Sequence, residues 1–140
     1  MRTLSALVLV TVLATAGEWA YRNFLRPIEP LAPEIVALAA HFNASGIQVR
    51  PYSVRHGYRH SEVSSVAAFE IVGFPFAVSL VVTQNEQSAA NMLVRTAASP
   101  NLANAQRNGL IVMDLPMWGD DTKDMATKVT NAFQSFGHGT

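Results

Sequence analysis

The sequence predicts an α+β protein: an N-terminal transmembrane or signal-anchor helix, then a small domain of order α-β-β-β-α-β-α. Three observations predict it. Leu4 to Gly17 is an uncharged, mostly aliphatic run, and prolines at 27, 30 and 33 punctuate the chain after it. Beyond them, apolar residues recur first at helical spacing, then in short β-branched runs, then at helical spacing again. The expected packing is a four-stranded, mostly antiparallel sheet with its helices gathered on one face. The chain divides accordingly into an anchor or signal over 1–22, a proline-spaced stalk over 23–33, the domain over 34–136 and a tail over 137–140.

Two readings compete for the first segment. As a helix, Leu4 to Gly17 reaches about 21 Å, short of the roughly 30 Å hydrocarbon core. That length fits a signal peptide, and Ala14-Thr15-Ala16 has the small-x-small form of a cleavage site. Continued through Tyr21 the helix reaches about 27 Å, near the span of a thinned bilayer. Trp19, Tyr21 and Arg22 then make the aromatic and basic belt of a lipid–water boundary. The retained anchor is the leading expectation, with the domain on the exported side, and cleavage after Ala16 the alternative. Basic residues flank the run on both sides, so the charge rule for orientation is close to a tie.

The stalk, Arg26-Pro27-Ile28-Glu29-Pro30-Leu31-Ala32-Pro33, favours an extended, polyproline-like course. Pro33 suits the first turn of the next helix, where its missing N–H costs nothing, and Glu34 suits the positive dipole end. Ile35, Leu38, Ala39 and Phe42 form one stripe, and Gly46 is placed to close the helix in the left-handed region. Ile47 to Val54 alternates, with Pro51 pushing it to a sheet edge. Val63 to Val72 and Phe74 to Thr83 follow as strands, the latter apolar on both faces and so central. Thr83-Gln84-Asn85-Glu86 has the form of a capping box opening a helix to about Ala98, with Ala89, Met92, Leu93 and Ala97 inward. Ser99 to Gly109, with three Asn, one Pro and one Gly, reads as loop. Leu110 to Leu115 is a short buried strand, and the helix before it allows a parallel crossover from Phe74–Thr83. Asp120 or Asp121 starts the last helix, whose Met125, Val129, Ala132 and Phe136 share a stripe.

Composition narrows the function. The 140 residues carry 10 basic and 10 acidic side chains, a formal net charge of zero, so no global field holds nucleic acid. Only 14 % of residues are charged, against about 25 % in ordinary soluble domains. That points to a surface partly covered by a partner or lying near a membrane. Cysteine is absent, which removes disulfides and thiolate metal sites.

The densest local chemistry lies between Arg50 and His60, where three Arg, two His and two Tyr share eleven residues. Arg55, His56, Arg59 and His60 form a basic patch able to hold an anion, a headgroup or an acidic partner. A hairpin tip of merely solvated arginines explains the same residues. His56 and His60 stand four apart, a chelating spacing on a helix, but Gly57 argues for a turn and Glu62 is the sole acid beside them. No metal and no cofactor are expected. Asp114, Asp120, Asp121 and Asp124 surround Pro116-Met117-Trp118-Gly119 without the alternation of a calcium loop. Trp118 is the candidate interface anchor there, although a Trp tucked against the core edge accounts for it equally. No nucleophile elbow, zinc-protease motif or phosphate-binding glycine loop occurs. Asn43-Ala44-Ser45 matches a glycosylation acceptor at a helix C-terminus.

The expectation is a non-enzymatic, membrane-anchored accessory or assembly subunit of a larger membrane protein complex. Its contacts would run through the basic hairpin, the Trp118 loop, or both. A secreted or periplasmic module binding an anionic ligand is the alternative.

Overall fold

The computed structural model describes residues 15–18, 28–55, 61–98, 104–116 and 119–137. Residues 15–18 are helical, and 28–32 run without secondary structure into the domain. Eight elements follow a common logic of apolar spacing and local stop signals. They are α1 (Pro33–Ala44), β1 (Val49–Ser53), β2 (Val63–Ile71), β3 (Val78–Thr83), α2 (Glu86–Ala97), β4 (Ala105–Asn108), β5 (Ile111–Asp114) and α3 (Lys123–Ser135). A single 3-10 turn, Asp120–Thr122, leads into α3.

Pro33 opens α1 at its first turn, and Ala32 before it is extended, as the residue before a proline should be. The helix ends in a Schellman motif. Gly46 takes φ +80°, its N–H donates to the Asn43 carbonyl, and the Ile47 N–H donates to the Phe42 carbonyl. Phe42 and Ile47, the apolar pair that usually accompanies this motif, are both buried. Leu31 and Ala32 pack against the same core, so the last residues of the stalk belong to the domain.

The sheet has five strands in the order β1-β2-β3-β5-β4, every neighbouring pair antiparallel. One face carries Ala67, Phe69, Ile71, Val78, Leu80, Val82, Ile111 and Met113 against Ile35, Leu38 and Phe42 of α1 and Ala126, Val129 and Phe133 of α3. Phe42 meets Phe69 edge-on at 5.6 Å. Burying each such side chain contributes about 1.5–3 kcal/mol, so this layer dominates stability. The other face holds a smaller cluster, in which Ala89 and Met92 of α2 sit on Val63, Val66, Val81 and Val112. A bulge between Val63 and Ser65 shifts the parity of β2. Without it Val63 would share the Phe69 face; with it Val63 joins Val66 beneath α2.

Four expectations are corrected. The sheet has five strands, not four, because Ala105–Asn108 forms β4 inside the segment read as loop. Three of its four residues are polar and all are half-buried, so neither alternation nor β-branching marks it. β4 returns directly into β5, so the chain meets β3 in the antiparallel sense and the parallel crossover does not occur. The helices are not gathered on one face: α1 and α3 share one and α2 takes the other. Finally, Thr83 is not the N-cap of α2. Asn85 is, its side-chain oxygen accepting the Ser88 N–H at 2.9 Å. Thr83 is 1 % exposed, and its hydroxyl donates instead to the Leu110 carbonyl at 2.8 Å.

Candidate functional site

The valine row beneath α2 ends where a second cross-strand row begins. Tyr52 pairs with Ala68, Ala68 with Ser79, Ser79 with Asp114, and Asp114 with Ala105. This row crosses all five strands on the face that carries α2, one step beyond the helix's valine contacts. Tyr52 is 37 % exposed, Ser79 is exposed, and Asp114 and Ala105 are half-buried. Arg50 and Glu70 occupy the next row on β1 and β2, paired at 2.7 Å with both side chains well exposed. An ion pair so exposed adds little stability and leaves both groups accessible.

Asp114 is the chemically distinctive member. Burial raises its carboxyl above the usual aspartate range, and Oδ1 is buried without a hydrogen-bond partner among the described residues. Sequence reasoning counted Asp114 only as one of an acidic cluster. The signal that separates it is its place in a strand between Ser79 and Ala105, whereas Asp120, Asp121 and Asp124 are exposed on the 3-10 turn and first turn of α3.

Of the site residues singled out from the sequence, Arg55 alone falls among the described residues. Arg55 is exposed just past β1. His56, Arg59, His60 and Trp118 lie outside the described residues, as do Trp19, Tyr21 and Arg22. The flanking strands nevertheless fix where the two loops attach. β1 is parallel to β3 and antiparallel to β5, through the shared pairings. The chain therefore leaves Arg55 at one end of the sheet and leaves Pro116, after β5, at the opposite end. The basic hairpin and the Trp118 loop are rooted at opposite ends of the sheet.

Glu62, the acid beside the two hairpin histidines in sequence, is bound to α2. It accepts from Asn91 Nδ2 at 3.2 Å and pairs with Arg95, both on α2. Among the described residues no group of three or more His, Asp and Glu is arranged to hold a metal. The one histidine among them, His41, lies on the opposite face from Ser79 and Asp114. Its Nε2 bonds the Ala132 carbonyl and Ser135 Oγ, each at 3.0 Å, and its ring meets Phe136 edge-on. It joins α1 to α3, a role the sequence reading missed because the stripe analysis ranked only apolar residues. A shallow groove of about 380 Å³ lies nearby, lined by Ser45, Ile47, Lys128 and Ser135. It offers one cation and two hydroxyls, of which Ser135 Oγ is the one already bonded by His41 Nε2. No helix among the described residues is long and apolar enough to cross a membrane.

No protein-family model matches the chain, and neither does any characterised protein or solved structure. The reading of the site therefore rests on its own geometry.

Proposed function

We propose that this chain is a non-enzymatic, membrane-anchored accessory or assembly subunit of a larger membrane complex, its domain on the exported side. The observation that carries the reading is the joining of the Leu4–Gly17 apolar run, through proline-spaced residues, to a small domain with few charges. Such a run needs lipid to receive it, and the stalk holds the domain close above. The Tyr52–Ser79–Asp114 row supports a partner contact, since it sets an accessible tyrosine and the half-buried Asp114 carboxyl beside the exposed Arg50 and Glu70. Tyrosine and arginine are the side chains most often decisive at interfaces. Pro116, two residues past Asp114, leads the Trp118 loop off the same end of the sheet as Arg50 and Glu70, so that loop would extend the surface; Arg55 and the basic hairpin leave the opposite end and would serve a separate contact. Fractionating membranes with alkaline wash, then co-purifying partners from detergent extracts, tests both parts. Full-length chain in the pellet and partner loss in Arg55→Glu/Arg59→Glu or Tyr52→Ala are expected. Chain in the wash, or partners unaffected by either variant, defeats the corresponding part.

Ala14-Thr15-Ala16 favours one second reading, in which cleavage after Ala16 releases a periplasmic or secreted module for an anionic ligand. Intact mass of the mature chain separates the two: loss of sixteen residues selects the second.

A further inference from the structure

The two edges of the sheet are built differently. Hydrogen bonding alternates along antiparallel pairs, so a single bond in each pair fixes which groups face outward. The Val54 N–H donates to the Val66 carbonyl and the Val72 N–H to the Gln48 carbonyl. Even-numbered residues of β1 therefore bond β2, and Val49, Pro51 and Ser53 face the open edge. That edge is closed to pairing. Val49 N–H is taken by Asn43 Oδ1 at 3.1 Å, and Pro51 has no N–H.

Among the described residues, the β4 edge carries neither device. The Leu115 N–H donates to the Asn104 carbonyl, so Asn104, Gln106 and Asn108 face β5 while Ala105 and Arg107 turn their N–H and C=O groups outward. No proline or bulge interrupts Ala105–Asn108. Charged side chains commonly guard such edges. Arg107 does not stand free to do so: Nε donates to the Gly109 carbonyl at 2.9 Å, and Nη2 lies 3.6 Å from Glu86 of α2.

We propose that this edge pairs with the same edge of a second copy, making a continuous ten-stranded sheet about a two-fold axis at Gln106. In that register Ala105 of each copy faces Arg107 of the other, and the outward groups exchange four backbone hydrogen bonds. The pairing is self-complementary, because each arginine meets a methyl group rather than its own charge. The flanks of α2 agree. The stripe through Glu86 on the β4 side continues as Ala90, Leu93 and Ala97, uncharged and suited to a neighbouring helix. The opposite stripe is Gln87, Asn91 and Arg95, with Asn91 and Arg95 bound to Glu62. Membrane attachment is not required by this inference.

The absence of cysteine makes the test clean. Gln106 would face its own copy with Cα atoms about 4.5 Å apart, within disulfide reach. Full-length Gln106→Cys under mild oxidation should give covalent dimer about tenfold above Ser53→Cys on the closed edge. Adding Ala105→Pro, which removes an outward donor without touching the β4–β5 ladder, should abolish that excess and shift native mass from dimer to monomer. Equal cross-linking at both positions overturns the proposal. So does dimer unaffected by Ala105→Pro, or a mixed disulfide with a different protein. Should Ala105→Pro fail to fold, the native mass of the wild-type chain decides, a monomer counting against.

Discussion

Asn43 bonds the first residue of β1 while bonding its own helix. Its Oδ1 accepts the Val49 N–H at 3.1 Å, and its Nδ2 donates to the Ala39 carbonyl at 2.9 Å. One amide thus links the end of α1 to the edge of the sheet. The same residue begins the Asn43-Ala44-Ser45 acceptor sequence, and a glycan on Nδ2 would displace its bond to Ala39. Asn43→Ala is expected to cost about 1 kcal/mol, because Val49 N–H lies at an exposed edge where water partly replaces the lost acceptor. Urea unfolding checks this; an unchanged midpoint would show the contact to be idle.

Thr83 supports a sharper prediction. Its N–H and hydroxyl both donate to the Leu110 carbonyl, at 2.9 and 2.8 Å, and it is almost wholly buried. Thr83→Val keeps the shape and removes the hydroxyl donor, so about 1–2 kcal/mol of stability should be lost. Asn85→Ala removes the true helix cap and should cost about 1 kcal/mol. Were Thr83 the cap, Asn85→Ala would be near neutral, which thermal melts of the two variants resolve.

These two residues also mark what was legible beforehand. The helix stripes were: Ile35, Leu38, Ala39 and Phe42 are buried as their spacing demands, and Gly46 caps α1. Thr83 was misassigned because capping-box spacing is local, whereas the bond it makes reaches 27 residues along the chain. β4 was missed because the mostly polar Ala105-Gln106-Arg107-Asn108 is stabilised by groups outside itself. Gln106 bonds Thr130, and Asn108 Nδ2 donates to the Phe133 and Phe136 carbonyls of α3 and its C-terminus. The β2 bulge, for which no residue pattern warns, adds Val63 to the face taken by α2. The Tyr52–Asp114 row depends on register, which needs all five strands placed.

His41 gives a prediction about helix docking. It bonds Ala132 and Ser135 of α3 from α1 and stacks edge-on with Phe136 at 5.6 Å. His41→Ala should cost about 1–2 kcal/mol, through lost hydrogen bonding and ring contact. Amide exchange at the C-terminal turn of α3 should accelerate before that of the central strands. Uniform acceleration across the domain would place the loss in global packing instead.

Asp114 makes stability depend on pH in an unusual direction. Burial raises its folded-state carboxyl above 3.8, the ordinary value. Below that ordinary value the group is neutral folded or unfolded, and the native state suffers no charge burial. As pH rises through the raised folded value, the native state must bury a carboxylate whose Oδ1 has no hydrogen-bond partner among the described residues. This contribution is therefore fully favourable in acid and is lost toward neutrality. Asp114→Asn removes the charge while keeping nearly the same shape. At neutral pH its Tm should exceed the wild-type value, by less than the ~4–8 °C that 1 kcal/mol makes in a domain this small, because solvent screens a carboxyl only partly buried. Near pH 3.5 the two should converge, because wild-type Asp114 is then protonated in the folded chain. A Tm difference that stays constant from pH 3.5 to 7 would mean the residue's charge is already balanced.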